Sequence, residues 1–144
     1  MPQTHLMIVP PGQASLIMTG QKPVEARFSP DRRAPFGVVS PGDNVYIQPS
    51  GQRIIGKAIV HRVDQYEGLT PADVDHLRTL YQDRVLSEQI RWGVDARARY
   101  ATFITFSKVT LLREEPVIIG DFKGARGGSW RVLAEAGGEA LRAA

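Results

Sequence analysis

The sequence predicts an α+β fold, a small and mostly antiparallel β-barrel with helices at its side. Three observations carry that expectation: short β-rich runs bounded by Pro and Gly turns recur along the chain, one short helix comes early, and a longer helical stretch interrupts the strands only past the middle. Regular alternation of strand and helix, the mark of a doubly wound parallel sheet, is missing. At 144 residues and 15.9 kDa the chain has the length of one domain. We expect its core at about 5–133 and a weakly ordered tail over 134–144.

The elements follow in order. His5 to Val9 is an apolar run that reads as a strand, followed by Pro10-Pro11-Gly12 and then Ala14, Ile17 and Met18 at helical spacing. Pro11 or Gly12 suits the helix start, and Gly20 suits the left-handed residue that ends a helix. From Pro23 to Phe28, Val24, Ala26 and Phe28 alternate with Pro23, Glu25 and Arg27, as in a strand with one buried face. Pro30 to Gly37 reads as a surface loop, and Pro41-Gly42-Asp43 as a turn ahead of the strand Asn44 to Gln48.

After the turn Pro49-Ser50-Gly51, the run Gln52 to Asp64 is β-rich, and Gly56 marks a bend suited to a curved strand. Thr70-Pro71-Ala72-Asp73 has the form of an N-cap, a first-turn proline and an acidic third position, leading Val74, Leu77, Leu80 and Tyr81 along one helical stripe. A second helix is expected from about Ser87 to Arg99, weakened by Gly93. Tyr100 to Leu112 is a long strand, and Val117-Ile118-Ile119 and Trp130 to Leu133 are shorter ones.

Composition removes several functional classes. Zero cysteines exclude a disulfide framework, a thiolate nucleophile and Cys-based metal sites. His5, His61 and His76 lie far apart and in no metal-ligand spacing, so we expect neither a metal nor a cofactor. No apolar stretch reaches the roughly 18 to 20 residues of a membrane helix and the start has no leader pattern, so a cytoplasmic protein is expected. The net charge is only +3, but residues 1–63 hold seven Lys/Arg against three Asp/Glu, and fourteen of the eighteen basic residues are Arg. Guanidinium groups match phosphate oxygens bidentately, which leans toward an anionic partner.

Gly20-Gln21-Lys22-Pro23-Val24-Glu25-Ala26-Arg27, the downstream Pro41-Gly42-Asp43-Asn44-Val45-Tyr46 and the strand Ile54 to Val60 form a series that resembles the ASCH domain family. Its signature is a G-x-K-x-x-E-x-R stretch followed by a P-G-D turn, and both are present. The resemblance spans about residues 5 to 66 and continues as a pattern of elements to about 112. It implies a PUA-like barrel with flanking helices, and a polar cleft between barrel and helix that binds single-stranded RNA or a modified nucleotide or nucleoside. It also places Lys22, Glu25 and Arg27 at that cleft.

Relatives in that family imply an alternative, a metal-independent hydrolase with Lys22 and Glu25 as proton-transfer pair: a single-stranded ribonuclease or a modified-nucleoside amidohydrolase. One bacterial branch that removes acyl groups from modified cytidine nucleosides has a Thr where this chain has Glu25. A carboxylate there cannot act as a hydroxyl nucleophile would.

Each of these residues also has a plainer reading. By spacing alone, Glu25 and Arg27 form a solvated ion pair worth about 0 to 1 kcal/mol. Arg32 and Arg33 either grip phosphate or serve solubility. The stretch Lys123-Gly124-Ala125-Arg126-Gly127-Gly128-Ser129-Trp130 offers glycine amides, the Arg126 guanidinium, the Ser129 hydroxyl and a Trp130 stacking face to a nucleotide, or is a hairpin with Trp130 in the core. Lys57 shares a mixed strand face with His61 and is a secondary binding residue. Trp92, Tyr46 and Tyr66 fit the core better than a base-stacking role. A third reading makes the helices at 71–99 a protein-binding surface.

Overall fold

The computed structural model describes residues 2–86, 97–118, 120–123 and 128–134. Within them lie β1 (Thr4–Val9), α1 (Pro11–Met18), β2 (Val24–Ser29), β3 (Asn44–Pro49), β4 (Gly56–Glu67), α2 (Pro71–Val85), β5 (Tyr100–Leu111), β6 (Asp121–Lys123) and β7 (Trp130–Ala134). Seven strands form one curled, half-barrel sheet in the order β2-β5-β4-β3-β1-β7-β6. All neighbouring pairs are antiparallel except β1 and β3, which run parallel with Thr4 opposite Asn44 and Val9 opposite Pro49. A parallel pair needs a long crossover, and the segment carrying α1 and β2 supplies it.

The helix signals act as the sequence indicates. Gly20, at φ +82, occupies the left-handed region after α1, and its N–H donates to the Ile17 carbonyl (3.1 Å). At the start of α2, Asp73 N–H donates to Thr70 Oγ1 (3.2 Å) and Thr70 N–H to Asp73 Oδ2 (2.8 Å), a reciprocal capping box. These bonds hold the exposed Asp73 carboxyl below its usual range.

Two cores flank the sheet. On one face Ala14 and Ile17 of α1 pack with Met7, Val45, Ile47, Val60, Ile104 and Trp130. On the other, Val74, Leu77, Tyr81 and Val85 of α2 cover Val24, Ala26, Ala101 and Phe103. Tyr81 stacks on Phe103 at 3.9 Å and shares a hydroxyl hydrogen bond of 2.8 Å with Tyr66; burial, then that bond, pushes its phenol well above the usual range.

Several expectations need correction. The strand expected from Gln52 begins at Gly56, because Gln52 is held in a turn by its bond to the Pro49 carbonyl. β4 carries register shifts between Lys57 and Ile59 and between Val60 and Arg62, irregularities of the kind that kink a strand. Gly56 packs closely under Met18, where a Cβ would lie 2.5 Å from Sδ and the thioether end would have to move. Val117 and Ile118 form no strand and Val117 is exposed; the short strand is β6 instead. The second helix was expected to reach Arg99, but Arg97 to Arg99 are non-helical, with Arg99 N–H bonded to the Ser29 carbonyl. Residues 87–96, including Trp92, and the tail 135–144 lie outside the described residues; Ala134 belongs to β7.

The Gly56 contact predicts that Gly56→Ala costs on the order of 1 kcal/mol, because the flexible end of Met18 can move aside. Combining it with Met18→Ala should cost less than the sum of the single changes. Denaturant melts of the four proteins in this cycle check the coupling.

Candidate nucleotide cleft

β2 has two buried faces. Val24 and Ala26 face α2, while Glu25 and Arg27 point into the curl of the sheet, across from Ile104 and Thr102 of β5. Glu25 is therefore 6% exposed, not the solvated partner its spacing indicated. Its carboxylate is shared: Oε1 lies 3.2 Å from Lys22 Nζ, and Oε2 accepts from Arg27 Nε at 2.9 Å and lies 2.9 Å from Arg27 NH2.

Lys22 is 1% exposed, and its ammonium also donates to the Val85 carbonyl at the end of α2. That carbonyl is one of the orphan acceptors of a helix C-terminus, where a cation is favoured by the helix dipole. Burial pulls the Lys22 ammonium below its ordinary range; Glu25 opposes the shift and Arg27 adds to it.

Arg27 reaches from the edge strand β2 across the open side of the half-barrel. NH2 donates to the Ile8 carbonyl of β1 (3.1 Å), NH1 donates to Ser129 Oγ beside β7, and the guanidinium carbon lies 5.5 Å from the centre of the Trp130 ring. Trp130 is fixed in turn: its Nε1–H donates to His5 Nδ1 (3.1 Å), and His5 Nε2 pairs with Asp43 Oδ2 (2.8 Å). Because an indole N–H only donates, Nδ1 must accept, and the imidazole carries its proton on Nε2. Asp43 also accepts from Gln3 N–H and Ser40 N–H, both at 3.0 Å. The aspartate of the P-G-D turn thus anchors the start of β1 and, through His5, the indole.

Beside this network lies a cleft of about 270 Å³. Its wall includes Arg27, Arg33, Phe36, Tyr100, Thr102, Ser129 and Trp130. Phe36 and Tyr100 meet edge to face with ring centres 5.0 Å apart. The structure thus gathers Arg27, Arg33, Ser129 and Trp130 at one place. Lys22 and Glu25 sit behind Arg27 and do not line the cleft. Arg32 lies outside its wall, with its guanidinium over Phe36 and 3.5 Å from Glu67, and Lys57 is on β4 opposite Tyr46. Arg126 lies outside the described residues. Tyr66 packs against the α2 core, as its apolar neighbours indicated.

Sequence reasoning missed Phe36, Tyr100 and Thr102. The first fell in an expected loop, and the other two in a strand whose pairing register with β2 is invisible in one chain. It also set aside His5.

Two stability outcomes follow. Glu25→Gln leaves the buried Lys22 without its countercharge and should cost on the order of 3 kcal/mol, whereas Lys22→Met, which leaves Glu25 paired with Arg27, should cost less. Asp43→Asn removes at least one acceptor from three donors and should cost about 1.5 to 3 kcal/mol. Chemical denaturation of the three variants measures both.

No protein-family model matches this chain, and no curated protein matches its sequence. Solved structures do. The ASCH protein of Zymomonas mobilis superposes with a TM-score of 0.67 at 18% identity, over 97% of this chain and 94% of that one. Two variants of the same protein also match. The one with a serine changed to alanine gives 0.60 at 17% identity over 78% and 75% of the two chains. The one with a tyrosine changed to phenylalanine gives 0.59 at 19% identity over 76% and 73%. Among the described residues, the seven-stranded half-barrel with two helices is an ASCH-like, PUA-like α+β fold.

Proposed function

We propose that the protein binds a single nucleobase or nucleoside, free or at an unpaired position of RNA, in the cleft between Arg27, Tyr100 and Trp130. The observation that carries this reading is a small, aromatic-walled cleft whose cations, among the described residues, are already paired. Arg27 is paired with Glu25, whose carboxylate it shares with Lys22, and Arg33 is paired with Asp31. Arg32, just outside, faces Glu67.

A groove for the phosphates of a polymer needs several cations left for the ligand, because affinity grows with the phosphates neutralised. A flat heterocycle needs rings to pack on and a few placed hydrogen-bonding groups. At about 270 Å³ the cleft is near the lower end of small-molecule sites, the size of one base with part of its sugar.

In this reading Arg27 and Ser129 meet the ligand's polar edge. Ser129 Oγ accepts from Arg27, so its own O–H remains to be donated. Phe36, Tyr100 and Trp130 supply the walls, and Arg33 meets a phosphate or ribose at the rim. Lys22 and Glu25 act as positioning residues that hold Arg27. Proton transfer by that pair, as a hydrolase would use it, is disfavoured by an ammonium bonded to Val85 and buried away from the cleft.

Isothermal titration of the four ribonucleosides and of single-stranded RNA, at about 50 and 200 mM salt, tests the assignment. We expect one nucleoside to bind at one per chain, with an affinity that changes less than about twofold between the two salts. Arg27→Ala should remove binding. Affinity confined to RNA and falling steeply with salt would replace this reading with a phosphate groove.

A further inference from the structure

Thr102 is the one residue of the cleft wall whose polar group is both buried and unsatisfied. It is 1% exposed, and among the described residues its Oγ1 has no hydrogen-bond partner. A buried hydroxyl left unpaired is disfavoured, and folded proteins rarely keep one without a use. Thr102 lies on β5 directly opposite Arg27 of β2, so the two side chains leave the same face of the sheet with Cβ atoms about 4.5 to 5.5 Å apart. Its neighbours on that face of β5 are Tyr100, a wall of the cleft, and Ile104, part of the core behind it.

We infer that the Thr102 hydroxyl is a specificity-determining ligand contact, reading a polar group on the edge of the base held in the cleft. The inference rests on the nucleobase reading above and adds to it the group that discriminates. Arg27 and Ser129 present N–H and O–H donors, so they select an acceptor such as a ring carbonyl oxygen. A threonine hydroxyl both donates and accepts. Opposite Arg27, it pairs with a neighbouring exocyclic amino or carbonyl group at no cost in net charge. A ligand that fills the cleft without a polar atom there leaves the hydroxyl unpaired, and a site built to bond such a group rejects analogues that lack it far more strongly than an apolar site rejects a change of size. The selected ligand therefore carries at least two adjacent polar groups on one edge, as the pairing edge of a pyrimidine or purine does.

The position makes a test with two independent readouts. Among the described residues the hydroxyl bonds to nothing in the unliganded protein, so Thr102→Val, which keeps the shape and removes the oxygen, should leave the melting temperature unchanged or raise it. The same variant should weaken the ribonucleoside that binds the wild type best by at least about tenfold, while Thr102→Ser stays within about threefold. It should also narrow the spread of affinities across the four ribonucleosides. Titration calorimetry and thermal melts of the wild type, Thr102→Val and Thr102→Ser supply these readouts.

Thr102→Val binding within twofold of the wild type for every ribonucleoside overturns the assignment of Thr102 and leaves the nucleobase reading intact. A melting temperature that falls by several degrees in Thr102→Val but not in Thr102→Ser assigns the hydroxyl a structural bond and also overturns it. A wild type that binds none of the four overturns the nucleobase reading, and the role of Thr102 falls with it.

Discussion

Everything around the cleft hangs on one buried carboxylate. Among the described residues Glu25 is the only acid in contact with Lys22 and Arg27, and each of these cations ties β2 to a different part of the molecule. Lys22 carries the tie to the last turn of α2; Arg27 carries the tie to β1 and to the entry of β7. Without the negative charge the interior of the half-barrel would hold two like charges, and the neutral remedy, losing a proton, is closed to an arginine. The apolar neighbours set how tightly these groups are held, but Glu25 makes their presence in the interior possible.

That constraint shapes what the cleft can recognise. An arginine held by a carboxylate, a backbone carbonyl and a serine is a rigid donor array more than a source of attraction for distant anions. Such an array rewards geometry, as do the fixed indole and the edge-to-face pair of Phe36 and Tyr100. The Asp43–His5–Trp130 chain serves the same end from the opposite side: a fully buried imidazole in one tautomer locks the ring that lies beside the guanidinium. Two polar networks of different charge type thus converge on one wall, leaving little freedom to be lost when a ligand arrives.

Much of the fold was legible because local signals agree with the final structure. The Thr70–Asp73 capping box, the left-handed Gly20 and the alternation of Val24, Ala26 and Phe28 each follow from chemistry within a few residues. The site was legible only in part. Spacing placed Glu25 and Arg27 on one face of a strand, and solvent is the usual occupant of a polar face. The face turns inward because β2 is the edge of a sheet that curls until it meets β7, and no window of sequence contains that closure. Thr102 illustrates the same limit, since its significance comes from lying opposite Arg27. Lys22, Glu25 and Arg27 stand out by resemblance and Ser129 and Trp130 by the glycine-rich stretch before them, but the division into a support, Lys22 and Glu25, and a cleft wall, Arg27, Ser129 and Trp130, comes only from which side chains border the cleft.

Arg27 and Ser129 are 102 residues apart in sequence, and His5 and Trp130 are 125 apart. Contacts of such separation form late and slowly, because the intervening chain must be ordered before they contribute. The recognition surface is therefore a seam, sewn where the edge strand β2 reaches over to β1 and the entry of β7. Local opening of either margin unmakes it, so a ligand held there binds only the closed form and stabilises the whole chain in proportion to its occupancy. The resistance of the sheet to unfolding and the filling of its seam are two readings of one equilibrium.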